Sequence, residues 1–384
     1  MQAILELGEA LRSDPGSWRE RMTAFVAAHD FPLVEDQTAT FFFWDEHPVD
    51  QIYLVHWVFG LESRQPLQRL EGTPAWFLSI ELPHAARVEY KFEVHRGDQR
   101  SWIRDPRNAA LARDPFGANS VCQMGGYTVP SWTEPAPASR RGDLDPFVLR
   151  SEVFGSPRRV TTYLPFEYKP HKRYPVMVCH DGLDYLRFAS AQAVLDQLIQ
   201  RYEVAPLVVA FVDPGDARNS EYAANPLQAR FLVDELLPEL HRRYGLSTRA
   251  RDTGLMGASF GAVSSLYTAW SNPGVFGKLL LQSGSFVFTD IGHHDRGELW
   301  DPVVAFVNGF RNDPARLDAQ LFLSCGVFES LIAYNRGLVP LMRRAGLDVR
   351  FVEALDGHNW INWRDRLRDG LTRLFPGHLW MTYE

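Results

Sequence analysis

The sequence predicts an α/β protein of two domains, in which a small all-β sandwich precedes a larger domain built on a mainly parallel sheet. The length of 384 residues suits two domains of ordinary size. Short aromatic and β-branched runs fill the first third of the chain, whereas longer apolar runs alternate with helical patterns in the rest. Such alternation is typical of a parallel sheet that helices cover on both faces.

The first domain is expected over residues 1–128. It opens with two short helices, at 2–12 and 16–28, with Asp14 as the N-cap of the second. Glycine, proline and polar residues then separate short runs of aromatic and β-branched residues, several of which alternate with polar ones. These predicted strands span residues 38–44, 51–59, 75–82, 87–95 and 101–105. The series is typical of an immunoglobulin-like β-sandwich.

A linker is expected over residues 129–147, which are rich in proline and polar side chains and lack periodicity. The second domain is expected over 148–384. Its predicted strands are mostly continuous apolar runs that end in Gly, Asp, Ser or Pro, at 158–165, 174–182, 207–213, 253–259, 278–285 and 319–326. Helical patterns, such as 189–202 and 226–245, lie between these strands.

Composition and charge exclude several classes of function. The net charge of −7 gives no general attraction for nucleic acid or an anionic membrane. No apolar run reaches the roughly 18 residues of a membrane span, and the first residues lack the features of a signal peptide. We therefore expect a cytoplasmic protein without nucleic-acid or membrane partners. Cys122, Cys179 and Cys325 are widely spaced, so we expect buried side chains rather than disulfides or a zinc site.

One pentapeptide in the second domain carries a candidate nucleophile. Gly257-Ala258-Ser259-Phe260-Gly261 matches the pattern G-x-S-x-G and lies between an apolar strand and a helix rich in small residues. A serine on such a sharp turn needs neighbours without bulk, because strand and helix approach closely there. The pentapeptide alone is weak, since a chain of this length with 28 glycines matches it by chance on the order of once in ten proteins.

Two further residues at strand ends complete the pattern of a Ser-His-acid triad. Glu329 follows an apolar strand and a glycine turn, and His358 follows the next strand and precedes a helix. The order nucleophile, acid, base accompanies the G-x-S-x-G turn. The spacing from Glu329 to His358 fits one strand with its crossover helix, roughly 30 residues. We therefore predict Ser259, Glu329 and His358 as the catalytic triad.

Other side chains compete for the roles of base and acid. His293 and His294 lie in a polar loop without a preceding strand, and His180 precedes the region where the order of the sheet is expected to switch. These three histidines are weaker candidates than His358. Asp356 is only two residues from His358, which is too close along the chain to orient the ring from its far side.

An oxyanion hole is expected from two loops. The amide of Phe260, at the start of a helix, supplies one donor. The loop after the strand 174–182 supplies the other, through the amide of either Gly182 or Leu183, and the sequence leaves both open. Asp181 is expected to hold this loop through hydrogen bonds of its side chain.

Six motifs resemble the esterase D-like α/β-hydrolases over residues 150–376. They are YLPFEY…KRYPVMVCHDG, RNSEY…FLVDELLPEL, GASFGA, LQSGSF, CGVFE…YNRGLVPLM and GHNWINWRDRL. That family includes enterochelin, feruloyl and acetyl-xylan esterases, S-formylglutathione hydrolases and mycolyltransferases. The resemblance implies an α/β-hydrolase fold and a serine esterase that uses Ser259, His358 and Glu329. It implies no metal or organic cofactor.

The first domain indicates which esterases of this family the chain resembles most. SWRERMTAFVAAHDFPLVED, TFFFW, EGTPAWFLSIELPHAARVEYKFEV and RDPRN, within residues 15–125, resemble the N-terminal domain of enterochelin (ferric enterobactin) esterases. That domain is a β-sandwich related to carbohydrate-binding modules of the glycogen-binding type. The resemblance implies hydrolysis of a siderophore ester, so the expected partner is a small-molecule ester that brings its own ferric iron.

Substrate contacts are expected in the cleft above the carboxyl ends of the parallel strands. The candidates are Tyr185, Arg187, Arg218 and Trp360, with Asp184, Glu221 and Tyr222 nearby. A ferric tris-catecholate is anionic and aromatic, so Arg187 and Arg218 would supply charge and cation–π contact. Alternatively, Arg218 and Glu221 pair with each other to fix a loop. The acidic net charge does not favour such an anionic ligand.

Two other functions fit parts of the sequence. A carbohydrate-linked ester hydrolase, of feruloyl or acetyl-xylan type, would hold a glycan on the first domain. Its platform would be Trp44, Trp57, Trp76 and Trp102, although a small sandwich buries most of its tryptophans. The presence of all three triad residues argues against a catalytically silent scaffold.

Overall fold

The computed structural model describes residues 2–378; Met1 and residues 379–384, the end of the predicted second domain, lie outside the described residues. The chain divides into two compact units. Unit 1 comprises the chain up to Val129 together with two short segments from much later in the sequence, Val327–Glu329 and Leu355–Gly357. Unit 2 comprises the rest of the chain from Pro130 onward.

Unit 1 begins with two helices, α1 (Gln2–Ser13) and α2 (Trp18–Ala28). Asp14, expected as an N-cap, makes no side-chain cap bond, because a short 3₁₀ turn at Pro15–Ser17 separates it from α2. The strands that follow are β1 (Leu33–Glu35), β2 (Thr38–Trp44), β3 (Gln51–His56), β4 (Arg64–Pro66), β5 (Gln68–Arg69), β6 (Ala75–Glu81), β7 (Arg87–Arg96), β8 (Gln99–Ile103), β9 (Leu111–Asp114) and β10 (Gly117–Gln123).

These strands form two antiparallel sheets that pack face to face. Their orders are β1-β2-β6-β5 and β4-β3-β7-β10-β9, with β8 paired to β7. Successive side chains of a strand point to opposite faces, and β2 buries side chains on both of its faces. Phe41 and Phe43 contact Tyr90 and Phe92 of β7 between the sheets, whereas Phe42 packs with the apolar faces of α1 and α2. The predicted all-β sandwich is confirmed.

The five strands predicted for this unit are present, but five others were not predicted. Four of the missed strands have only two to four residues, which is too short for a periodic pattern. The fifth, β10, has the sequence GANSVCQ, whose small and polar residues give little apolar signal. Its central residues are buried all the same.

The four tryptophans of the hypothetical sugar platform do not share one environment. Trp76 lies in the core and Trp44 is half-buried, whereas Trp57 and Trp102 are 49% and 56% exposed. Of the four, only Trp57 and Trp102 therefore offer an open aromatic surface.

Unit 2 is built on strands that alternate with helices. The strands are β11 (Asp143–Ser151), β12 (Ser156–Leu164), β13 (Val176–His180), β14 (Val208–Val212), β15 (Thr253–Ala258), β16 (Lys278–Gln282), β17 (Gln320–Gly326) and β18 (Val349–Ala354). The helices are α3 (Gly182–Phe188), α4 (Ala191–Gln200), α5 (Arg218–Tyr222), α6 (Pro226–Arg230), α7 (Leu237–Arg243), α8 (Phe260–Ser271), α9 (Asp301–Asn312), α10 (Ile332–Arg344) and α11 (Trp360–Leu374). A π-helical segment, Phe231–Leu236, joins α6 to α7.

One sheet of order β11-β12-β14-β13-β15-β16-β17-β18 runs through unit 2. Strand β12 pairs antiparallel with both β11 and β14, and the strands from β14 to β18 are parallel to one another. Helices α8, α9 and α10 contribute to the core on one face, and α4 and α11 to the core on the other. This double cover explains why the central strands are continuous apolar runs. The predicted α/β domain with a mainly parallel sheet is confirmed.

The order of the strands reverses at β13, which lies between β14 and β15. Loops that leave the carboxyl ends of β13 and β15 therefore start side by side and lead to helices on opposite faces. Gly182 follows β13 and Ser259 follows β15. The topology thus brings the predicted oxyanion loop next to the predicted nucleophile.

The predicted linker is largely part of unit 2. Strand β11 already begins at Asp143, and residues 130–142 are held by α4. Asp196 of α4 accepts a hydrogen bond from the amide of Gly142 at 2.8 Å, and Gln197 donates to the carbonyl of Glu134 at 3.0 Å. Proline-rich segments show no periodicity in sequence, yet side chains of a neighbouring helix can satisfy their backbone groups.

The expectation that the cysteines are buried agrees with the structure. Cys122, Cys179 and Cys325 are all buried, and burial raises the pKa of the Cys122 thiol to about 12. Among the helices of residues 2–378, none is both long and apolar enough to cross a membrane.

Candidate active site

The predicted nucleophile lies on a strained turn between β15 and α8. Ser259 has φ 57° and ψ −120°, a conformation that residues with a side chain rarely adopt. A Cβ atom at Gly257 would lie 2.5 Å from the carbonyl carbon of Gly261. One at Gly261 would lie 3.2 Å from Cβ of His180. Gly257 is therefore a steric requirement of the turn, whereas a side chain at Gly261 would crowd His180.

Hydrogen bonds from the next strand fix the backbone of this turn. The amide of Ser259 donates to the carbonyl of Gln282, at the end of β16, at 2.9 Å. The amide of Ser285 donates to the carbonyl of Ser259 at 3.2 Å, and the two hydroxyl oxygens are 3.1 Å apart. Ser285 was not predicted as a site residue, since a serine after a glycine gives no distinctive signal in one sequence.

His180, a competing candidate for the base, lies beneath the turn and is fully buried. Its Nδ1 is 3.1 Å from the carbonyl oxygen of Met256 and its Nε2 is 3.0 Å from the hydroxyl of Ser264. Burial lowers its pKa to about 4. The ring is thus a neutral support of the turn. Of the other competitors, His294 pairs with Asp301 at 3.2 Å in the segment before α9.

The predicted acid and base follow two other parallel strands of unit 2. Glu329 comes three positions after the end of β17 and is buried. His358 comes four positions after the end of β18 and is exposed. Because β15, β16, β17 and β18 are neighbouring parallel strands, their carboxyl ends lie along one edge of the sheet. All three predicted triad residues thus follow strands that end at this edge.

The ring of His358 packs edge-on against Trp363 of α11, with centroids 5.1 Å apart. The indole nitrogen of Trp363 donates to the hydroxyl of Ser283 at 2.9 Å, and Ser283 directly follows β16. This contact ties the start of α11 to the edge of the sheet. Trp363 therefore supports the ring of the predicted base.

The loop after β13 distinguishes the two candidate oxyanion donors. Asp181 has φ 55°, and a Cβ at Gly182 would lie 2.3 Å from the backbone of Phe211, so this position requires glycine. The amide of Leu183 donates to a carboxylate oxygen of Asp213 at 2.9 Å. Leu183 is therefore already engaged by an anionic acceptor, which favours Gly182 as the second donor.

Of the four residues predicted to contact the substrate, Tyr185 and Arg218 are hydrogen-bonded within the protein. Tyr185 is fully buried, and its hydroxyl donates to the side chain of Gln282 at 2.8 Å. It supports the sheet edge and does not line an open surface. Arg187, in the last turn of α3, is exposed. Trp360 is half-buried, with its ring 5.2 Å from that of Tyr185.

Arg218 is also engaged. Its guanidinium donates to both carboxylate oxygens of Asp181, at 2.6 Å each. Burial lowers the pKa of Arg218, but hydrogen bonds and the charge of Asp181 outweigh this, and the pKa is raised. Glu221 instead accepts from Arg158 at 2.9 Å. The alternative in which Arg218 pairs with Glu221 is therefore wrong, and Asp181 compensates the charge of Arg218 within the protein.

The rival acid, Asp356, belongs to unit 1. Both of its carboxylate oxygens lie 3.3 Å from the guanidinium of Arg87, and one accepts from the amide of Gly357 at 2.7 Å. An ion pair of this kind accounts for a buried aspartate without a catalytic role.

Comparisons with known proteins agree with this architecture. A family model described as "Putative esterase" matches residues 151–321. The iron(III) enterobactin esterase of Dickeya dadantii (strain 3937) is 25% identical, over 96% of this chain and 95% of that protein. The crystal structure of ferric enterobactin esterase from Salmonella typhimurium superposes with a TM-score of 0.73 at 24% identity, covering 88% of this chain and 93% of that one.

A second solved structure is the enterobactin esterase from Shigella flexneri, crystallised in the presence of enterobactin. It gives a TM-score of 0.73 at 24% identity and covers 88% of this chain and 92% of that one. These structures are similar to this chain in fold across both units. Residues 151–321 therefore match an esterase family model, the chain is similar over most of its length to enterobactin esterases, and the protein is a carboxylic ester hydrolase.

Proposed function

We propose that this protein is a serine esterase that cleaves the ester bonds of a catecholate siderophore such as ferric enterobactin. Ser259 is the nucleophile, His358 the general base and Glu329 the acid that orients it. The observation that supports this best is the backbone of Ser259, because a non-glycine residue keeps a positive φ only where the surrounding structure enforces it. Here β15, α8 and two hydrogen bonds enforce it.

In the proposed mechanism, Ser259 Oγ attacks the ester carbonyl carbon while His358 accepts the hydroxyl proton. The tetrahedral oxyanion accepts hydrogen bonds from backbone amides. When the intermediate collapses, His358 returns the proton to the leaving alkoxide, and an acyl-enzyme remains. His358 then removes a proton from water, which attacks the acyl carbon. When this second intermediate collapses, His358 returns the proton to Ser259 Oγ and the acid is released. Glu329 keeps the imidazole in the required tautomer and stabilises the imidazolium.

The proposed oxyanion hole consists of the amides of Phe260 and Gly182. Phe260 is the first residue of α8, where amides lack partners within the helix and the dipole favours an anion. Gly182 holds the same position in α3. Leu183 is the less suitable donor, because Asp213 already accepts from its amide and would repel an oxyanion there.

The siderophore substrate is supported by the relatives. The Dickeya protein is called an iron(III) enterobactin esterase and aligns with both units of this chain. The exposed Arg187 is available to an anionic ligand, whereas Arg218 is neutralised by Asp181. Iron release after cleavage is part of this proposal, and the cytoplasmic location stays a prediction.

One experiment tests the mechanism and the substrate together. The wild type, Ser259→Ala and the matched control Ser271→Ala, at the far end of α8, are incubated with a chromogenic acetate ester, ferric enterobactin and a feruloylated arabinose. We expect siderophore cleavage by the wild type and the control. Ser259→Ala should lose at least about 10³-fold in kcat. Equal activity of Ser259→Ala would exclude the serine mechanism. Feruloyl release without siderophore cleavage would favour the carbohydrate-linked esterase instead.

A further inference from the structure

We propose that the β-sandwich of unit 1 positions the acid and base of the triad, with Arg87 as the central positioning residue. The inference rests on the proposed serine-esterase function and deepens it. Its starting point is the membership of two short segments in unit 1. Val327–Glu329 follows β17 and ends on the proposed acid, and Leu355–Gly357 follows β18 and directly precedes the proposed base.

The segment that carries the acid is anchored through Phe328. Its carbonyl accepts a hydrogen bond from the amide of Phe59 at 2.9 Å. Its side chain is 8% exposed and belongs to the core between the two sheets, alongside Phe41 and Phe92. The residue immediately before Glu329 is thus fixed by the sandwich through both backbone and side chain.

The segment that precedes the base is anchored by Arg87, the first residue of β7. The Arg87 amide donates to the carbonyl of Leu355 at 2.9 Å. Its guanidinium lies 3.3 Å from both carboxylate oxygens of Asp356 and donates to Glu89 at 2.9 Å. Asp356 in turn accepts from the amide of Gly357 at 2.7 Å. This chain of contacts ends one residue before His358.

The two segments are also joined to each other. The amide of Phe328 donates to the carbonyl of Asp356 at 3.2 Å. A shift of either segment therefore disturbs the other, and with it the residue that follows. The distance between a general base and the acid that orients it is sensitive to such shifts, because displacements of about 1 Å can cost on the order of 100-fold in rate.

Stability alone does not explain the buried ion cluster of Arg87, Glu89 and Asp356. The Arg87 side chain is 2% exposed, and those of Asp356 and Glu89 are 8% and 9% exposed. Removing three charges from water is costly, and well-packed apolar residues often replace buried ion clusters without loss of stability. The planar guanidinium does, however, reach Asp356 through one terminal nitrogen and Glu89 through the other, and so fixes the position of Asp356. Fixing Asp356 next to Gly357 and His358 is a role that an apolar side chain cannot fill.

The test compares Arg87→Met, Arg87→Lys and Asp356→Asn with two control variants. Tyr90, like Arg87, lies on β7, and Tyr90→Phe removes its buried hydrogen bond to Asp105. Arg64→Met removes a bidentate pair with Glu93 elsewhere in the sandwich. For each protein, kcat and KM are measured on a chromogenic acetate ester, together with thermal unfolding. Reaction of Ser259 with a fluorophosphonate is measured as well, since it reports activation of the nucleophile directly.

We expect Arg87→Met and Asp356→Asn to lower kcat and the fluorophosphonate rate by about 10- to 100-fold, with KM changed less than about twofold. Arg87→Lys should recover part of the loss, because it restores the charge without the planar guanidinium that reaches Asp356 and Glu89 together. Both controls should keep kcat within about twofold even where they lower the melting temperature.

Three outcomes would overturn the proposal. The first is a folded Arg87→Met or Asp356→Asn protein with the kcat of the wild type. The second is an equal loss of kcat in Tyr90→Phe, which would make the effect one of stability. The third is a loss confined to KM. If Arg87→Met does not fold, Arg87→Lys and Asp356→Asn decide the matter. An inactive wild type would instead contradict the proposed function.

Discussion

Ser259 shows how much of this site depends on single residues. Its strained backbone exists because Gly257 and Gly261 leave room for β15 and α8 to meet, and because Gln282 and Ser285 bond its backbone. The glycines and the serine were predictable from sequence, since their spacing expresses a steric rule. Ser285 was not, because its contact depends on how β16 continues beside β15.

We expect Gly257→Ala to abolish the turn. The new Cβ would lie 2.5 Å from a backbone carbon, so the start of α8 would have to move. The predicted result is a loss of at least about 100-fold in esterase kcat and a fall of about 1–3 kcal/mol in the free energy of unfolding. Denaturant unfolding and an ester assay measure the two effects.

The matched control is Gly309→Ala in α9, where the nearest atom to a new Cβ is 3.9 Å away on Trp270. It should keep activity and raise the free energy of unfolding by up to about 1 kcal/mol, as expected for alanine in a helix. Normal activity in Gly257→Ala would show that the turn tolerates a side chain and would contradict the steric argument.

Because the ring of His180 is buried, we expect the free energy of unfolding to depend on pH in a specific way. Its pKa is lowered from 6.5 to about 4 by burial, so the unfolded chain binds a proton at this ring more readily than the folded chain. The contribution of the neutral ring to stability is complete above pH 6.5 and is lost as pH falls toward 4. We expect a loss of about 2–3 kcal/mol between pH 7.5 and pH 4.5 from this residue.

Urea unfolding of the wild type and His180→Gln at several pH values isolates this contribution. Both proteins lose stability in acid through their carboxyl groups, but only the wild type carries the His180 proton linkage. The difference in the free energy of unfolding between the two proteins should therefore shrink as pH falls. A difference that stays constant from pH 7.5 to pH 4.5 would show that His180 is not buried as a neutral ring.

At the scale of elements, long apolar runs were the predictable part. The predicted strand at 38–44 has the bounds of β2, and the central strands of unit 2 lie within their predicted runs. Edge strands were harder. In β11, the sequence DLDPFVLRS has a proline and mostly exposed or half-buried residues, because an edge strand is buried on fewer sides. The sequence pattern there resembles a polar linker, so the predicted linker extends to residue 147, beyond the start of β11 at Asp143.

Glu235 provides a test of contacts between elements. It lies in the π-helical segment and accepts hydrogen bonds from the amides of Glu152 and Val153 at 2.8 Å each and from the hydroxyl of Ser151 at 2.6 Å. These groups form the turn between β11 and β12. We expect Glu235→Ala to lower the free energy of unfolding by about 2–3 kcal/mol, because a charged acceptor with several donors is lost.

The matched control is Glu239→Ala, in α7 of the same helical stretch. Glu239 pairs with Arg242 and Arg243 on the surface, and such pairs contribute less than about 1 kcal/mol. Glu235→Ala should keep kcat on a small ester, since no proposed catalytic group lies on this turn. Equal destabilisation by both substitutions, measured in urea, would contradict the assignment of Glu235 as the support of the hairpin.

At the scale of the whole molecule, the sequence could not reveal that unit 1 includes residues next to the proposed acid and base. Arg87 and Asp356 are 269 positions apart, and neither has a pattern that points to the other. From the sequence alone Asp356 is only a competing acid, because the sequence gives its distance from His358 along the chain and not its partner Arg87. A long-range ion pair of this kind forms only when β7, which begins at Arg87, has packed against the segment that follows β18.

The net charge of −7 leads to a prediction for the whole enzyme. A ferric catecholate siderophore is anionic, so the field of the protein opposes its approach, and salt should weaken that repulsion. The Debye length falls from about 30 Å at 0.01 M to about 8 Å at 0.15 M ionic strength. We expect kcat/KM for ferric enterobactin to rise about two- to fivefold over this range, while a neutral acetate ester shows no such rise.

Two arginine variants separate the overall charge from a local contact. Arg187→Gln and Arg344→Gln change the net charge equally, and both side chains are exposed, but only Arg187 follows the oxyanion loop, in α3. If Arg187 attracts the siderophore locally, its loss lowers kcat/KM at 0.01 M salt more than the loss of Arg344. Equal losses of kcat/KM in the two variants would show that only the overall charge of the protein acts on the siderophore. A fall of kcat/KM with salt in the wild type would mean that local positive charge outweighs the acidic surface, because screening then removes an attraction.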